Sequence, residues 1–185
     1  MRLATAAVLV AVSAAPAVPT PSGAPPAPLS GSRAPCAHVR NEFSFDVEAP
    51  MARVAPQFAP VAERAWGDPH WKPEFVYPVP ESDVEGAVFT VPHAHGPSVW
   101  VNTRFDVPAG RMQYVAVVPG VLVTVIEVRV APVTPGRTHV DVTYARTALE
   151  PEANAHVKEL GEADRKSGPE WRRGVETALG LEPTR

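Results

Sequence analysis

Between Gly86 and Thr147 the chain runs through consecutive β-type segments separated by Pro/Gly reversals, and no other feature limits its fold as tightly. The segments are Gly86 to Val91, Ser98 to Val107, Met112 to Val118, Val121 to Ala131 and Arg137 to Thr147. Between them stand His95-Gly96-Pro97, Pro108-Ala109-Gly110, Pro119-Gly120 and Pro135-Gly136. In such reversals Pro presets φ and Gly supplies the positive φ of a tight turn. Connections this short join neighbouring antiparallel strands, so a meander is expected. In its last segment Val140, Val142 and Tyr144 share one face and His139, Asp141 and Thr143 the other, which predicts one buried and one wet face. Val121 to Ile126 is apolar on both faces and is expected in a central strand.

The flanks read differently. Glu42 to Val47 alternates with period two and predicts a half-buried strand. Pro50 to Ala55 opens a short helix that sets Val54 and Phe58 one turn apart, and Pro60 to Trp66 forms a second, ended by Gly67-Asp68-Pro69. Glu74 to Val79 returns to strand, with prolines that suit a sheet edge. After Glu150-Pro151-Glu152, the residues Val157, Leu160, Asp164, Gly168, Trp171, Val175 and Ala178 follow one helical face. That phase predicts one long helix kinked at Gly168-Pro169, with Asp164 and Gly168 leaving space in mid-face.

A chain of 185 residues that is 45% apolar fits a single domain. Its net charge of -3 gives no field that would gather nucleic acid. Met1-Arg2 followed by apolar Leu3 to Ala15 has the pattern of a secretory signal, with Ala15-Pro16-Ala17 as cleavage site and no membrane span once residues 1–17 are removed. The alternative is an unstructured leader behind a misplaced start. Residues 18–40, rich in Pro and Ala, read as a disordered tether, and residues 41–181 as the folded domain. The expected location is the periplasm or extracellular space if the leader is real, and the cytoplasm otherwise. Cys36 is the single cysteine, which excludes an intramolecular disulfide.

Several stretches carry a resemblance: Phe45 to Pro50, Glu63-Arg64-Ala65-Trp66 with His70-Trp71-Lys72-Pro73, Gly86 to Thr90, Val99-Trp100-Val101, Tyr114 to Gly120, Val142-Thr143-Tyr144 with Thr147-Ala148-Leu149, and the Trp171 helix. Together with the element order, they resemble a bacterial branch of the START-like, or SRPBCC, superfamily, which includes polyketide cyclase/dehydrase and lipid-transport proteins. The resemblance implies an α+β helix-grip fold: a curved antiparallel sheet of about seven strands, arranged as a strand, two short helices and a six-stranded meander, packed on a long C-terminal helix. It also implies an apolar and aromatic cavity between sheet and helix, suited to a hydrophobic small molecule.

Within that frame the candidate ligand-binding residues are Trp100, Asn102, Arg104, Tyr114, Tyr144 and Trp171. Strand alternation puts Trp100, Asn102, Arg104 and Asp106 on one face and Val99, Val101, Thr103 and Phe105 on the other, without deciding which lines the cavity. Asn102 and Arg104 on the cavity side would orient a carbonyl or carboxylate. Tyr114, Tyr144 and Glu127 carry polar groups of the right kind, while Trp171 reads equally as a packing anchor. His93 and His95 can point the same way but lack a third ligand, so no metal is expected, and no cofactor motif appears. No nucleophile is tied to His139 and Asp141. The sequence therefore favours binding or transport of a hydrophobic small molecule. A cyclase/dehydratase-like enzyme, with a polar cavity group acting on a carbonyl, and an exported structural or interaction module remain as alternatives.

Overall fold

The protein is described from a computed structural model covering residues 34–92 and 96–182. Seven strands build one sheet: β1 (His38–Val47), β2 (Glu74–Tyr77), β3 (Val88–Val91), β4 (Ser98–Asp106), β5 (Arg111–Val118), β6 (Leu122–Thr134) and β7 (Arg137–Ala148). Every pairing is antiparallel, and the order is β1-β7-β6-β5-β4-β3-β2. The meander forms as the turn signals predict, with β6 inside the sheet. Gly110 and Gly120 take φ of +64° and +71° in their reversals. At Gly110 the requirement is also spatial, because a Cβ would stand 2.0 Å from the Val130 carbonyl oxygen. Gly136 needs no positive φ, and its N–H donates to Thr134 Oγ1 at 3.3 Å.

Helix α1 (Met51–Val54) runs into a 3₁₀ turn (Ala55–Phe58), and α2 (Pro60–Glu63) completes the corner between β1 and β2. After β7, a 3₁₀ turn (Pro151–Ala153) leads into α3 (Asn154–Asp164) and α4 (Gly168–Ala178). The result is the α+β helix-grip architecture. None of the described helices is long and apolar enough to cross a membrane. Residues 1–33, on which the leader and most of the tether fall, and 93–95, which hold the histidine pair, lie outside the described residues.

Two expectations are corrected. Strand β1 begins at His38 rather than Glu42, because β7 offers an unbroken ladder from Thr138 to Thr147 that extends His38 to Asn41 despite their irregular polarity. The C-terminal helix is divided rather than kinked. Ser167 N–H donates to the Asp164 carbonyl at 3.1 Å, and Trp171 N–H to the Ser167 carbonyl at 3.0 Å. Pro169 therefore sits in the first turn of a new helix, where its missing N–H has no partner to lose.

The glycines of that helical face are close-packing positions, not gaps. A Cβ on Gly161 would lie 2.9 Å from Asn41 Nδ2, and one on Gly168 would lie 3.4 Å from the Phe43 ring. A Cβ on Gly174 would meet the Trp66 ring at 2.7 Å. The main core joins Phe45, Val47, Val54, Phe58, Met112, Ile126, Val128, Val140, Val142 and Val175. A smaller one under α3 gathers Val118, Leu122, Ala148 and Val157. Space remains further along, between the Phe58–Trp71 corner, the sheet and Trp171 of α4.

Candidate functional site

Cross-strand register sets which side chains lie on the sheet face that borders that space. One row runs Asn102, Tyr114, Ile126, Tyr144, Asn41 across five strands, and the next runs Phe89, Trp100, Ala116, Thr124, Arg146, Val39. Both lie on the covered side of the sheet. Above them stand Phe58, Pro60, Glu63, Trp66 and Trp71 from the corner and Trp171 from α4.

The cavity has two adjoining chambers. The inner one is small, about 40 Å³, and lies among Phe58, Pro60, Glu63, Trp71, Trp100, Tyr114, Ile126, Val128, Tyr144 and Trp171. The outer one, about 280 Å³, shares Glu63, Trp71, Trp100, Ile126, Tyr144 and Trp171 with it. To these it adds Trp66, Asp68, Ala116, Thr124, Arg146 and Glu170.

The walls are rings held by rings. Trp71 meets Trp100 edge to face at 5.1 Å, and Trp100 stacks on Phe89 at 5.9 Å. Opposite, Trp171 contacts Phe43 and Trp66 at 5.4 Å and Tyr144 at 6.2 Å. Three indole N–H groups are already committed: Trp66 to the Gln57 carbonyl at 2.8 Å, Trp71 to the Pro60 carbonyl at 3.0 Å and Trp100 to Ser98 Oγ at 2.8 Å. These rings offer the cavity their apolar bodies and not their donors.

Glu63, the last residue of α2, lines both chambers. By exposed area Glu63 is half-buried, and desolvation pushes its carboxyl up to about 8, with no hydrogen bond or opposite charge among the described residues to offset it. Its position is fixed by the backbone. Val61 N–H donates to Asp83 at 3.1 Å at the start of α2, and Gly67 N–H donates to the Glu63 carbonyl at 2.7 Å at its end. Burial also raises the phenols of Tyr114 and Tyr144. Tyr114 donates its hydroxyl to the Phe58 carbonyl at 2.6 Å, whereas Tyr144 lies under the Arg146 guanidinium, 4.6 Å from ring centroid to Cζ.

Arg146 is held by three of its five N–H donors. Its Nε and Nη2 each donate to Asp164 at 2.7 Å, and Nη1 donates to Thr124 Oγ1 at 3.0 Å. The pair is largely buried, with side-chain exposures of 15% and 7%, and it anchors the end of α3 to the sheet.

Of the residues singled out from sequence, Trp100, Tyr114, Tyr144 and Trp171 line the cavity. Asn102 does not. It is fully buried beneath the loop before β3, donating Nδ2 to the Val84 carbonyl at 3.1 Å, with its backbone N–H bonded to Ala87. Arg104 is a correction. A bulge between Asn102 and Arg104 shifts the register, so Phe105 pairs with Met112 on the covered side while Arg104 pairs with Gln113 on the outer face. Glu127 is also on the outer face, accepting from Gln113 Nε2 at 3.1 Å. His139 and Asp46 pair there too, at 2.6 Å.

Glu63, Trp66, Trp71 and Arg146 complete the site and were not singled out. Arg146 had a legible signal, since the buried phase Val140, Val142, Tyr144 continues onto it. For Glu63 the signal was weaker: a carboxylate one helical turn before Trp66, in a segment closed by prolines.

No family model and no curated protein sequence matches the chain. Solved structures do. Norcoclaurine synthase from Thalictrum flavum superposes with a TM-score of 0.57 at 10% identity, over 80% of this chain and 89% of its own. The ZhuI aromatase/cyclase from Streptomyces sp. R1128 gives 0.56 at 16%, over 77% and 94%. Ara h 8.0201 gives 0.53 at 12%, over 78% and 99%. Likeness at these identities establishes the fold alone: the chain shares the helix-grip fold of these proteins.

Proposed function

We propose that this helix-grip chain binds or carries a flat, hydrophobic small molecule between the Trp71/Trp100 wall and the Trp171 wall. The observation that carries this reading is the pair of adjoining chambers, lined by aromatic bodies whose polar ends are mostly committed elsewhere. Such a lining gives affinity through apolar burial and ring contact, with a few polar groups to orient the ligand. The fold neighbours support it by analogy. One structure of norcoclaurine synthase is described in complex with dopamine and hydroxybenzaldehyde, and another neighbour is an aromatase/cyclase. Native mass spectrometry of gently purified protein tests the reading: retained mass that is released by organic solvent is expected. Protein at its bare mass, with no aromatic or lipid compound shifting its melting, would overturn it.

A second reading, a cyclase- or dehydratase-like enzyme, is favoured by Glu63. A carboxyl pushed up to about 8 inside a cavity can give or take a proton near neutrality, as acid/base catalysis requires. The enzyme reading is tested by turnover: conversion of an aromatic carbonyl substrate that Glu63→Gln abolishes supports it, and no conversion by the unaltered protein overturns it. Export through the N-terminal leader is also proposed, and N-terminal sequencing of the protein recovered from outside the cytoplasm tests it.

A further inference from the structure

The polar complement of the cavity is one-sided. Its carboxyl groups are Glu63, Asp68 and Glu170, and its one cation among the lining residues is Arg146. Arg146 is already paired: Asp164 takes two of its five N–H donors, Thr124 a third, and its face covers Tyr144. The indoles of Trp66, Trp71 and Trp100 and the hydroxyl of Tyr114 have given their hydrogens to backbone or Ser98. What remains toward the ligand is the Glu63 carboxyl, the Trp171 indole N–H, the Tyr144 hydroxyl and the faces of aromatic rings, whose quadrupoles are negative. Among the described lining residues, a carboxylate or phosphate finds no cation without a carboxylate partner.

From this arrangement we infer that the ligand is an organic cation, a protonated amine on a flat apolar body, whose ammonium sits against Glu63 and whose body lies between Trp71, Trp100 and Trp171. The inference rests on the reading of the cavity as a ligand site and names the chemical class of its occupant. Ring faces attract a desolvated ammonium, and a half-buried carboxyl without a partner gains from one.

The pH dependence separates this from a neutral ligand. The groups facing Glu63 are Tyr114 and Tyr144 from the sheet, both kept neutral by burial, the ion-paired Arg146, and the acids Asp68 and Glu170. Asp83 lies behind α2, and Arg64 at its end pairs with Glu81. With its carboxyl pushed up to about 8, Glu63 must lose a proton when an ammonium docks, so amine affinity rises with pH up to about 8. A carbonyl ligand accepting from protonated Glu63 shows the opposite trend.

Calorimetric titration with naphthylethylamine, naphthylethanol and naphthylacetate compares one aromatic body with three end groups. The amine is expected to bind at least about tenfold more tightly than the alcohol. Its binding should release protons at neutral pH, and Glu63→Gln, with fold verified by circular dichroism, should erase its advantage while sparing the alcohol. If the alcohol or the acetate binds as tightly as the amine to the unaltered protein, the cation inference is overturned and the aromatic-ligand reading stands. If none of the three shows saturable binding, the ligand-site reading falls and the inference with it.

Discussion

The Tyr114 hydroxyl donates to the Phe58 carbonyl oxygen at 2.6 Å, tying the middle of β5 to the corner that carries Glu63. Both ends are buried, and Phe58 precedes α2 by two residues. This bond sets the distance between the cavity floor and its acidic group.

Tyr114→Phe leaves the Phe58 carbonyl without that donor in a dry setting. The expected cost is about 1–3 kcal/mol of unfolding free energy, read from urea denaturation. Weaker ligand binding should accompany it, because Glu63 is no longer held over the floor. An unchanged midpoint would show that water replaces the hydroxyl.

Asp164→Ala strips Arg146 of two charge-assisted bonds and leaves a guanidinium in the sheet interior. Breaking a buried pair by removing one partner costs about 3–5 kcal/mol, much of it from the stranded charge. Chemical denaturation of the variant measures this, and hydrogen exchange should show α3 opening first. Replacing both partners together, as Arg146→Met with Asp164→Leu, is expected to recover much of the loss.

Glu63 destabilises the fold it belongs to at neutral pH. Its folded-state carboxyl titrates at about 8 and its unfolded one at 4.5, so unfolding releases a proton between those values. Stability attributable to this residue is therefore unaffected below about 4.5, falls as pH rises, and is flat again above about 8. The span corresponds to at most roughly 5 kcal/mol by the usual conversion. Glu63→Gln should melt near the unaltered protein at pH 4.5 and above it at pH 8. A melting difference independent of pH would show that the carboxyl is solvated.

His139 and Asp46 give a smaller signal on the outer face. The bond between them raises the histidine and lowers the aspartate, with Arg137 adding a second contact to Asp46. The histidine's contribution is present below its ordinary pKa and is lost as pH rises through its raised folded value; the aspartate's is lost as pH falls through its depressed one. Both side chains are about one-third exposed, so His139→Gln should cost less than about 1 kcal/mol at pH 6 and nothing measurable at pH 9.

The strands were legible because turn chemistry and alternation act locally. Pro119-Gly120 closes a reversal whatever surrounds it, and Val140, Val142 and Tyr144 share a face in any strand. The bulge at Thr103 was not legible: one extra residue in β4 sends Arg104 to the outer face and Phe105 to the covered one, and only the register against Gln113 and Met112 reveals it. The division of the C-terminal helix lay in Pro169, whose ring is as compatible with a first turn as with a kink. Glu63 escaped notice for a different reason. Nothing in a short amphipathic helix marks one carboxylate for burial; the aromatic walls around it come from the corner, three strands and α4, so its environment is a tertiary product.

The most direct test of the cavity as a ligand site is to fill it. Ala116, buried in β5, lines the outer chamber between Trp100 and Thr124 in its cross-strand row. Ala116→Leu adds bulk to existing space and is expected to leave melting within a few degrees, since no packed neighbour must move far. Calorimetric titration of naphthylethylamine into both proteins should show saturable binding to the unaltered chain and at least about tenfold weaker binding to the variant. Equal binding to the two would contradict the account.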